Sequence, residues 1–388
     1  MNDKAIVHMD LDCFFVAVER LRDSQLVGKP VIVGGQSDRG VVSACSYETR
    51  KFGVRSAMPM KLARQLCPDA IILRGDYEAY SAHSKMVTDI ITENAPVVEK
   101  ASIDEFYVDV TGMERFFGTW KFASELRQKI IKETGLSISM ALATNKTVSK
   151  VATNEVKPAR QIQILQGTEK SYLAPLTVSK IPLIGNVTSQ TLRNMGVTHV
   201  GTLSQMPLKL LEKTFGKIGK TLWERANGID FTPVVPYHEQ KGMSKEMTFQ
   251  QDTTDVNLLN NLFITMTEQL CYDLRKSGHC TGCISIKIRY SNFDTHTKQL
   301  NIPITSADHV LIKASLDLFQ KLYDRRLLIR LIGIRFTKLV RALEQLNLFD
   351  NSTKVVPLYD AMDRIRDKYG NDAIGRAVRI DKKNKRIS

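Results

Sequence analysis

Residues 97–111 read VVEKASIDEFYVDVT. The stretch alternates as a β-hairpin does, with apolar Ile103, Phe106 and Val108 set around the acidic pair Asp104–Glu105. Upstream, Ala5–Met9 (AIVHM) is a short apolar run rich in Val and Ile and reads as a buried strand. It ends in Asp10-Leu11-Asp12, after which Phe14 to Leu21 spaces its apolar residues as a helix would. Between these two stretches the spacing predicts strands over Val31–Gly34 and Val41–Ser46, around a polar SDRG turn. Helices follow over Met60–Leu66 and Tyr77–Asn94, the second stopped by Pro96. Downstream come a helix over Trp120–Glu133, a strand over Ser137–Ala143 and a helix from about Lys146. Alternating strands and helices with a central hairpin predict an α+β domain of ferredoxin-like type.

From about Tyr172 the pattern changes to short helices separated by IPLIGN, MGVTHVG and FGKIGK, a small helical domain ending near Asp230. Residues Thr232–Gly242, with Pro233 and Pro236, read as a linker. A third unit has the order β-α-β-β-α-β: strand Lys245–Gln250, helix Val256–Lys276, strands Cys283–Tyr290 and Lys298–Ile302, helix Asp308–Tyr323 and strand Leu331–Lys338. A helical tail is expected from Val356. The fold class is therefore α+β and multidomain.

Over 388 residues, 55 Lys and Arg against 41 Asp and Glu leave a net charge of +14. Residues 325–388 alone carry 16 basic and 7 acidic side chains. Such a run is either a solvated tail or a surface that tracks phosphates, and charge alone does not separate the two. No apolar run approaches the roughly 20 residues of a membrane span, and MNDKAIVHMD does not read as a signal peptide, so a cytoplasmic protein is expected. Six cysteines are too few for a disulfide scaffold, and Cys280 and Cys283 lack the partners of a zinc site.

Asp10, Asp12, Asp104 and Glu105 all fall at strand ends or turns of the first domain. In isolation Asp10 and Asp12 can be read as caps of the following helix, and Asp104–Glu105 as an exposed turn. In a ferredoxin-like sheet, however, the first strand and the hairpin can lie side by side. Converging carboxylates then call for divalent cations, and oxygen ligands suit Mg²⁺ or Mn²⁺. Two such ions roughly 4 Å apart serve in-line displacement at phosphorus. Tyr47 and Arg50, opening a helix after a strand, together with Lys157, make a suitable cradle for a triphosphate.

Four motifs in order, MDLDCFFVAVE, SYETRKFGVRSAMPM, ASIDEFYVDV and the Lys-Pro of NEVKP, resemble those of the Y-family DNA polymerases, most closely the bacterial DinB (DNA polymerase IV) type. The resemblance runs from about Ala5 to Phe349. It implies a palm with inserted fingers (1–171, fingers about 17–72), a thumb (172–231), a linker (232–242), a little finger (243–341), and a clamp-binding peptide with a basic tail (342–388). Asp10, Asp104 and the Leu11 carbonyl would hold two Mg²⁺ ions, with Mn²⁺ a substitute, and Glu105 beside them. Phe14, Phe15, Tyr47, Arg50 and Lys157 would bind the nucleotide, with Phe15 as steric gate against a 2′-hydroxyl. IPLIGN resembles a helix–hairpin–helix, whose Gly185 and Asn186 would meet a DNA phosphate.

Three departures stand out. Leu183 replaces the usual first glycine of that hairpin, Val16 replaces a smaller residue beside the gate and implies a tighter nucleobase pocket, and KPAR replaces the usual KPNG. Gln345, Leu346, Leu348 and Phe349 resemble the bacterial sliding-clamp-binding motif. The implied enzyme is monomeric, binds primer–template DNA, deoxynucleotides and the clamp, and extends primers past damaged bases without proofreading. A nucleotide cyclase, a catalytically silent DNA-binding module and a UmuC-like subunit that needs partners are the rival readings.

Overall fold

The computed structural model describes residues 4–113, 118–237, 239–324, 327–341, 355–370 and 373–376. The chain forms two units, 1–238 and 239–388. In the first, β1 (Ile6–Leu11) and α1 (Phe14–Arg22) lead into β2 (Val31–Gly34), β3 (Val42–Cys45), α2 (Tyr47–Arg50), α3 (Met60–Leu66) and β4 (Ile71–Leu73). Next come α4 (Tyr77–Asn94), β5 (Val97–Lys100), β6 (Glu105–Asp109), α5 (Thr119–Thr134), β7 (Ile138–Ala143), α6 (Lys146–Val156) and β8 (Gln161–Gln163). Five helices complete the unit: α7 (Glu169–Leu173), α8 (Asn186–Asn194), α9 (Val200–Gln205), α10 (Leu208–Phe215) and α11 (Lys217–Ala226).

The main sheet has the order β5-β6-β1-β7-β8. Without β8, that is the ferredoxin-like order, with β1 central and the β5–β6 hairpin on one side. β1 (IVHMDL) is buried along its whole length because both of its faces are covered. Val7, Met9 and Leu11 share a core with Phe106, Val108, Ile138 and Met140 and with α1, α4 and α5. The opposite face carries Ile6, His8 and Asp10. There β7 presents Ser139, Ala141 and Ala143, small side chains over which α6 packs closely, with Thr153 donating to the His8 carbonyl at 3.2 Å. Asp10 therefore points toward α6, not into the apolar core. A second sheet, β3-β2-β4, pairs β2 antiparallel with β3 and parallel with β4. β4 and β8, three residues each, escape the sequence pattern because they are too short to show a period.

The stretch expected as a linker is partly docked. Val234 is buried against Ile6 and Tyr107, and the Val235 N–H donates to Glu99 at 2.7 Å. Glu99 in turn binds Lys146 at 2.7 Å, so a buried ion pair fixes the end of this segment to the sheet.

In the second unit β9 (Gly242–Thr253), α12 (Val256–Lys276), β10 (His279–Tyr290), β11 (Thr295–Thr305), α13 (Asp308–Leu322) and β12 (Ile329–Arg341) follow the expected order. Their sheet runs β11-β10-β12-β9, a different arrangement of the same β-α-β-β-α-β succession. Ile284, Ile286, Ile288 and Tyr290 pack against Phe263, Leu270, Leu311 and Phe319 of the two helices. The other face is polar and lines a shallow cavity of about 320 Å³ that includes Ser285, Lys287, Gln299 and Arg335.

α14 (Val355–Tyr369) is the helix expected from Val356, and it docks on α12 and α13. Arg275 grips Asp363 through Nε at 2.6 Å and Nη2 at 2.9 Å, binds Asp308 at 2.6 Å, and lies over the Tyr359 ring. Arg376 reaches the buried Glu268 at 3.0 Å. Gln345, Leu346, Leu348 and Phe349 lie outside the described residues.

Candidate active site

Strand register brings the acidic residues to one edge. Asp10 pairs with Glu105 across β1 and β6, and the Leu11 N–H donates to the Asp104 carbonyl at 3.0 Å. Ser102 ties the hairpin turn, donating to Asp104 Oδ1 at 2.6 Å and accepting from the Glu105 N–H at 3.0 Å. Facing them, α6 and the residue after it supply a row of ammonium groups. Lys146 and Lys150 sit four apart on one helical face. Lys146 meets Glu99, Lys150 meets both Glu105 oxygens at 2.9 and 2.7 Å, and Lys157 meets Asp10 Oδ2 at 2.5 Å.

Burial pushes the Asp10 carboxyl up to about 7; Lys157 opposes this and the charges of Glu105 and Asp104 add to it. Beneath them His8 is fully buried, and neither ring nitrogen has a hydrogen-bond partner among the described residues. Burial, then the neighbouring lysines, hold it well below the usual histidine range. Among the described residues no three acidic, His or Cys side chains form a ready ion cage; Lys157 holds Asp10, Lys150 holds Glu105 and Ser102 holds Asp104.

Seven sequence candidates line one cavity of about 280 Å³: Asp10, Leu11, Phe14, Phe15, Arg50, Asp104 and Lys157. Phe15 stacks on Tyr80, with ring centroids 4.3 Å apart, and the Tyr80 hydroxyl donates to Glu19 at 2.5 Å. Burial raises that hydroxyl to about 12, so it stays a donor. Arg50 lies over the Tyr47 ring, 4.7 Å from its centroid. Ser46 caps α2, accepting from the Thr49 N–H, and so presents Tyr47 and Arg50 from a short rigid turn. Glu105 and Tyr47 do not line the cavity; they adjoin two residues that do, Glu105 beside Asp10 in the strand register and Tyr47 beneath Arg50.

Gly185 and Asn186 are not part of the cavity. They open α8, whose start has no side-chain cap and open space around Gly185. Leu183 holds φ +77, the left-handed region that favours glycine, and Arg225 fixes the same hairpin by donating to the Pro182 carbonyl at 3.0 Å.

Val16 does not narrow the pocket as expected: it is fully buried in the core and absent from the cavity wall. Helix periodicity puts Phe15 on the pocket side and its neighbour on the core side. Ala159, in the KPAR loop, also holds a left-handed φ of +59. Sequence reasoning missed Ser43, Ala44, Ser56 and Ile103 of the cavity wall, and Tyr80 and Lys150 behind it. Ser56 and Ile103 lie inside two of the quoted motifs without standing out there, whereas Ser43 and Ala44 of β3, Tyr80 of α4 and Lys150 of α6 lie outside all four. For Lys150 the available signal was its i,i+4 spacing from Lys146.

Sequence models of the impB/mucB/samB family match residues 9–154, and its C-terminal domain matches residues 240–348. A DNA polymerase-iota thumb domain matches residues 179–230. The chain is 35% identical to a DNA polymerase IV of Dehalococcoides mccartyi, covering 98% of this chain and 99% of that one. It is 33% identical to a DNA polymerase IV of Treponema denticola, over 99% of this chain and 98% of the other. The chain belongs to the DinB-type Y-family DNA polymerases.

A solved Y-family DNA polymerase chimera superposes with a TM-score of 0.79 at 25% identity, covering 87% of this chain and all of the other. Fold and family agree, and the chain is a DNA-directed DNA polymerase, whose substrates are primer–template DNA and deoxynucleoside triphosphates. Among the described residues no helix is long and apolar enough to cross a membrane.

Proposed function

We propose that the chain extends a primer by two-metal phosphoryl transfer, in low-fidelity synthesis past damaged template bases and without proofreading. The supporting observation is the convergence in one cavity of Asp10 and Asp104, Arg50 and Lys157, and the flat ring of Phe15. In this reading 1–171 is palm with fingers inserted at about 17–72, 172–231 thumb, 232–242 linker and 243–341 little finger. Residues 342–388 carry the clamp peptide and the tail.

The donor set fits a hard divalent cation. Carboxylates of Asp10 and Asp104, the Leu11 carbonyl and nearby Glu105 are all oxygen ligands, and burial makes the Asp10 carboxylate costly until more positive charge arrives. Asp10, Asp104 and Leu11 would hold Mg²⁺, or Mn²⁺ in its place; when bound, the ions supply charge neutralisation at the triphosphate and activation of the primer hydroxyl.

The chain's own groups do the rest. Tyr47, Arg50 and Lys157 receive the triphosphate. Lys157 exchanges its contact with Asp10 for phosphate oxygens. Phe14, buried beneath Phe15, helps to fix the wall under the sugar. Phe15, braced by Tyr80, leaves no room for a 2′-hydroxyl. Gly185 and Asn186 offer backbone N–H groups to a DNA phosphate. The polar sheet face around Lys287 and Arg335 suits a duplex backbone. Gln345, Leu346, Leu348 and Phe349 dock on the bacterial sliding clamp, and the polymerase acts as a cytoplasmic monomer.

The decisive experiment is primer extension by the purified protein with deoxynucleotides and Mg²⁺, beside Asp104→Asn. Extension by the wild type that vanishes in the variant supports the assignment. Equal extension by both would remove Asp104 from the site.

A further inference from the structure

We infer that Asp12 is a positioning residue for nucleotide binding: it holds the triphosphate-binding groups of two separate elements in one arrangement before the nucleotide enters. This rests on the proposed roles of Tyr47 and Lys157. Asp12 follows β1 and is buried. It does not cap α1, because Cys13 occupies that cap position with φ 46 and no side-chain cap bond forms.

Instead its two oxygens accept four hydrogen bonds. Oδ1 receives the Ser139 hydroxyl at 2.8 Å and the Tyr47 hydroxyl at 3.3 Å. Oδ2 receives the Ser137 hydroxyl at 2.7 Å and the Ala159 N–H at 2.9 Å. The Asp12 N–H donates to the Ser137 carbonyl at 2.9 Å. Among the described residues no Lys or Arg forms a direct ion pair with it; its four contacts are all neutral donors, and the Arg127 guanidinium interacts with it only through space.

The four bonds divide by purpose. Ser137 and Ser139 belong to β7 and its approach, and they anchor the carboxylate to the rigid sheet. Tyr47 opens α2, and Ala159 lies two residues after Lys157, so the other two bonds hold the two separate elements that carry the proposed triphosphate groups. A carboxylate can accept at all four sites, whereas an Asn side chain offers one oxygen and would turn an NH₂ toward donors.

The Tyr47 hydroxyl has a single proton, which it cannot give to Asp12 and to a phosphate oxygen together. Its bond to Asp12 is the longest of the four and the easiest to exchange. Asp12 thus holds the ring in place in the empty pocket and releases the hydroxyl when phosphate arrives. The benefit of such preorganisation appears in binding.

The test is single-nucleotide incorporation with KM and kcat measured separately, on variants shown to be folded by their melting curves. Asp12→Asn is expected to raise KM for the deoxynucleotide about 10-fold with kcat changed less than about 3-fold, the signature of lost binding. Tyr47→Phe is expected to raise KM as well, and the double variant by less than the product of the two single effects, because the Asp12–Tyr47 bond is lost in both. If Asp12→Asn does not fold, Ser137→Ala with Ser139→Ala loosens the anchor without touching the cavity wall, and the same rise in KM is expected. An unchanged KM in a folded variant, or a fully additive double variant, overturns the inference. An unchanged KM in Tyr47→Phe would instead overturn the triphosphate role on which it rests.

Discussion

The ring of Phe15 lies flat on that of Tyr80, with centroids 4.3 Å apart and planes 11° from parallel. Phe15 is the second residue of α1 and Tyr80 sits in α4, so the proposed steric gate is braced by an element 65 residues away in the chain. Tyr80 is itself almost wholly buried and held by Glu19. The wall is therefore stiff, which a steric filter requires. Phe15→Ala is expected to raise ribonucleotide incorporation relative to deoxynucleotide by roughly 10–200-fold, the range over which a pocket discriminates one small group on its substrate. Competing incorporation of matched ribo- and deoxynucleotides reads this directly. Unchanged sugar selectivity would take Phe15 out of the gate.

Glu99 joins three partners that belong to different parts of the chain: Lys146 of α6, the Val235 N–H, and, through Lys146, the Tyr107 ring. Its ion pair is nearly closed to solvent, so truncating one member strands a buried charge. Glu99→Ala is expected to cost about 3–5 kcal/mol of stability, measured by urea unfolding. It should also expose the segment around Val234 to protease. Resistance equal to wild type would show that the apolar contacts of Val234 suffice.

Leu183 and Ala159 both carry a side chain in left-handed backbone conformation. A non-glycine residue held there costs of order 1–3 kcal/mol. Leu183→Gly is expected to raise the melting temperature and to tighten DNA binding at the start of α8. A lower melting temperature would mean that Leu183 contributes packing, which its 61% exposure argues against.

The tail helix bonds through its charged side. Removing residues 355–388 would leave Arg275 without Asp363 and Glu268 without Arg376. The truncated protein is expected to lose about 3 kcal/mol or more in the second unit, and Arg275→Ala to reproduce much of that loss. Both are measured by chemical unfolding. Full stability of the truncated chain would make α14 a passenger.

Leu348→Ala with Phe349→Ala is expected to abolish stimulation of synthesis by a bacterial sliding clamp while basal extension persists. Primer extension on circular DNA with and without loaded clamp checks it. Surviving stimulation would remove this peptide from clamp docking.

Most elements were legible in the sequence because their period is local. Tyr77–Asn94, Met60–Leu66 and Val256–Lys276 are helices over the spans their apolar spacing predicts. The hairpin around Asp104–Glu105 likewise follows from alternation within fifteen residues. The residues proposed as metal ligands, triphosphate cradle and gate could be picked out for the same reason: each lies in a short contiguous stretch.

What tertiary structure alone decided is how distant stretches meet. Two successions of β-α-β-β-α-β give two different strand orders, because order depends on which faces the helices cover, and no single strand encodes that. Asp12 collects donors from Tyr47, Ser137, Ser139 and Ala159, the last 147 residues away. Lys150 on Glu105, Tyr80 under Phe15 and α14 on Arg275 are contacts of the same kind. Hydrogen bonds and ring stacking act over a few ångströms of space whatever the separation along the chain, so periodicity carries no trace of them.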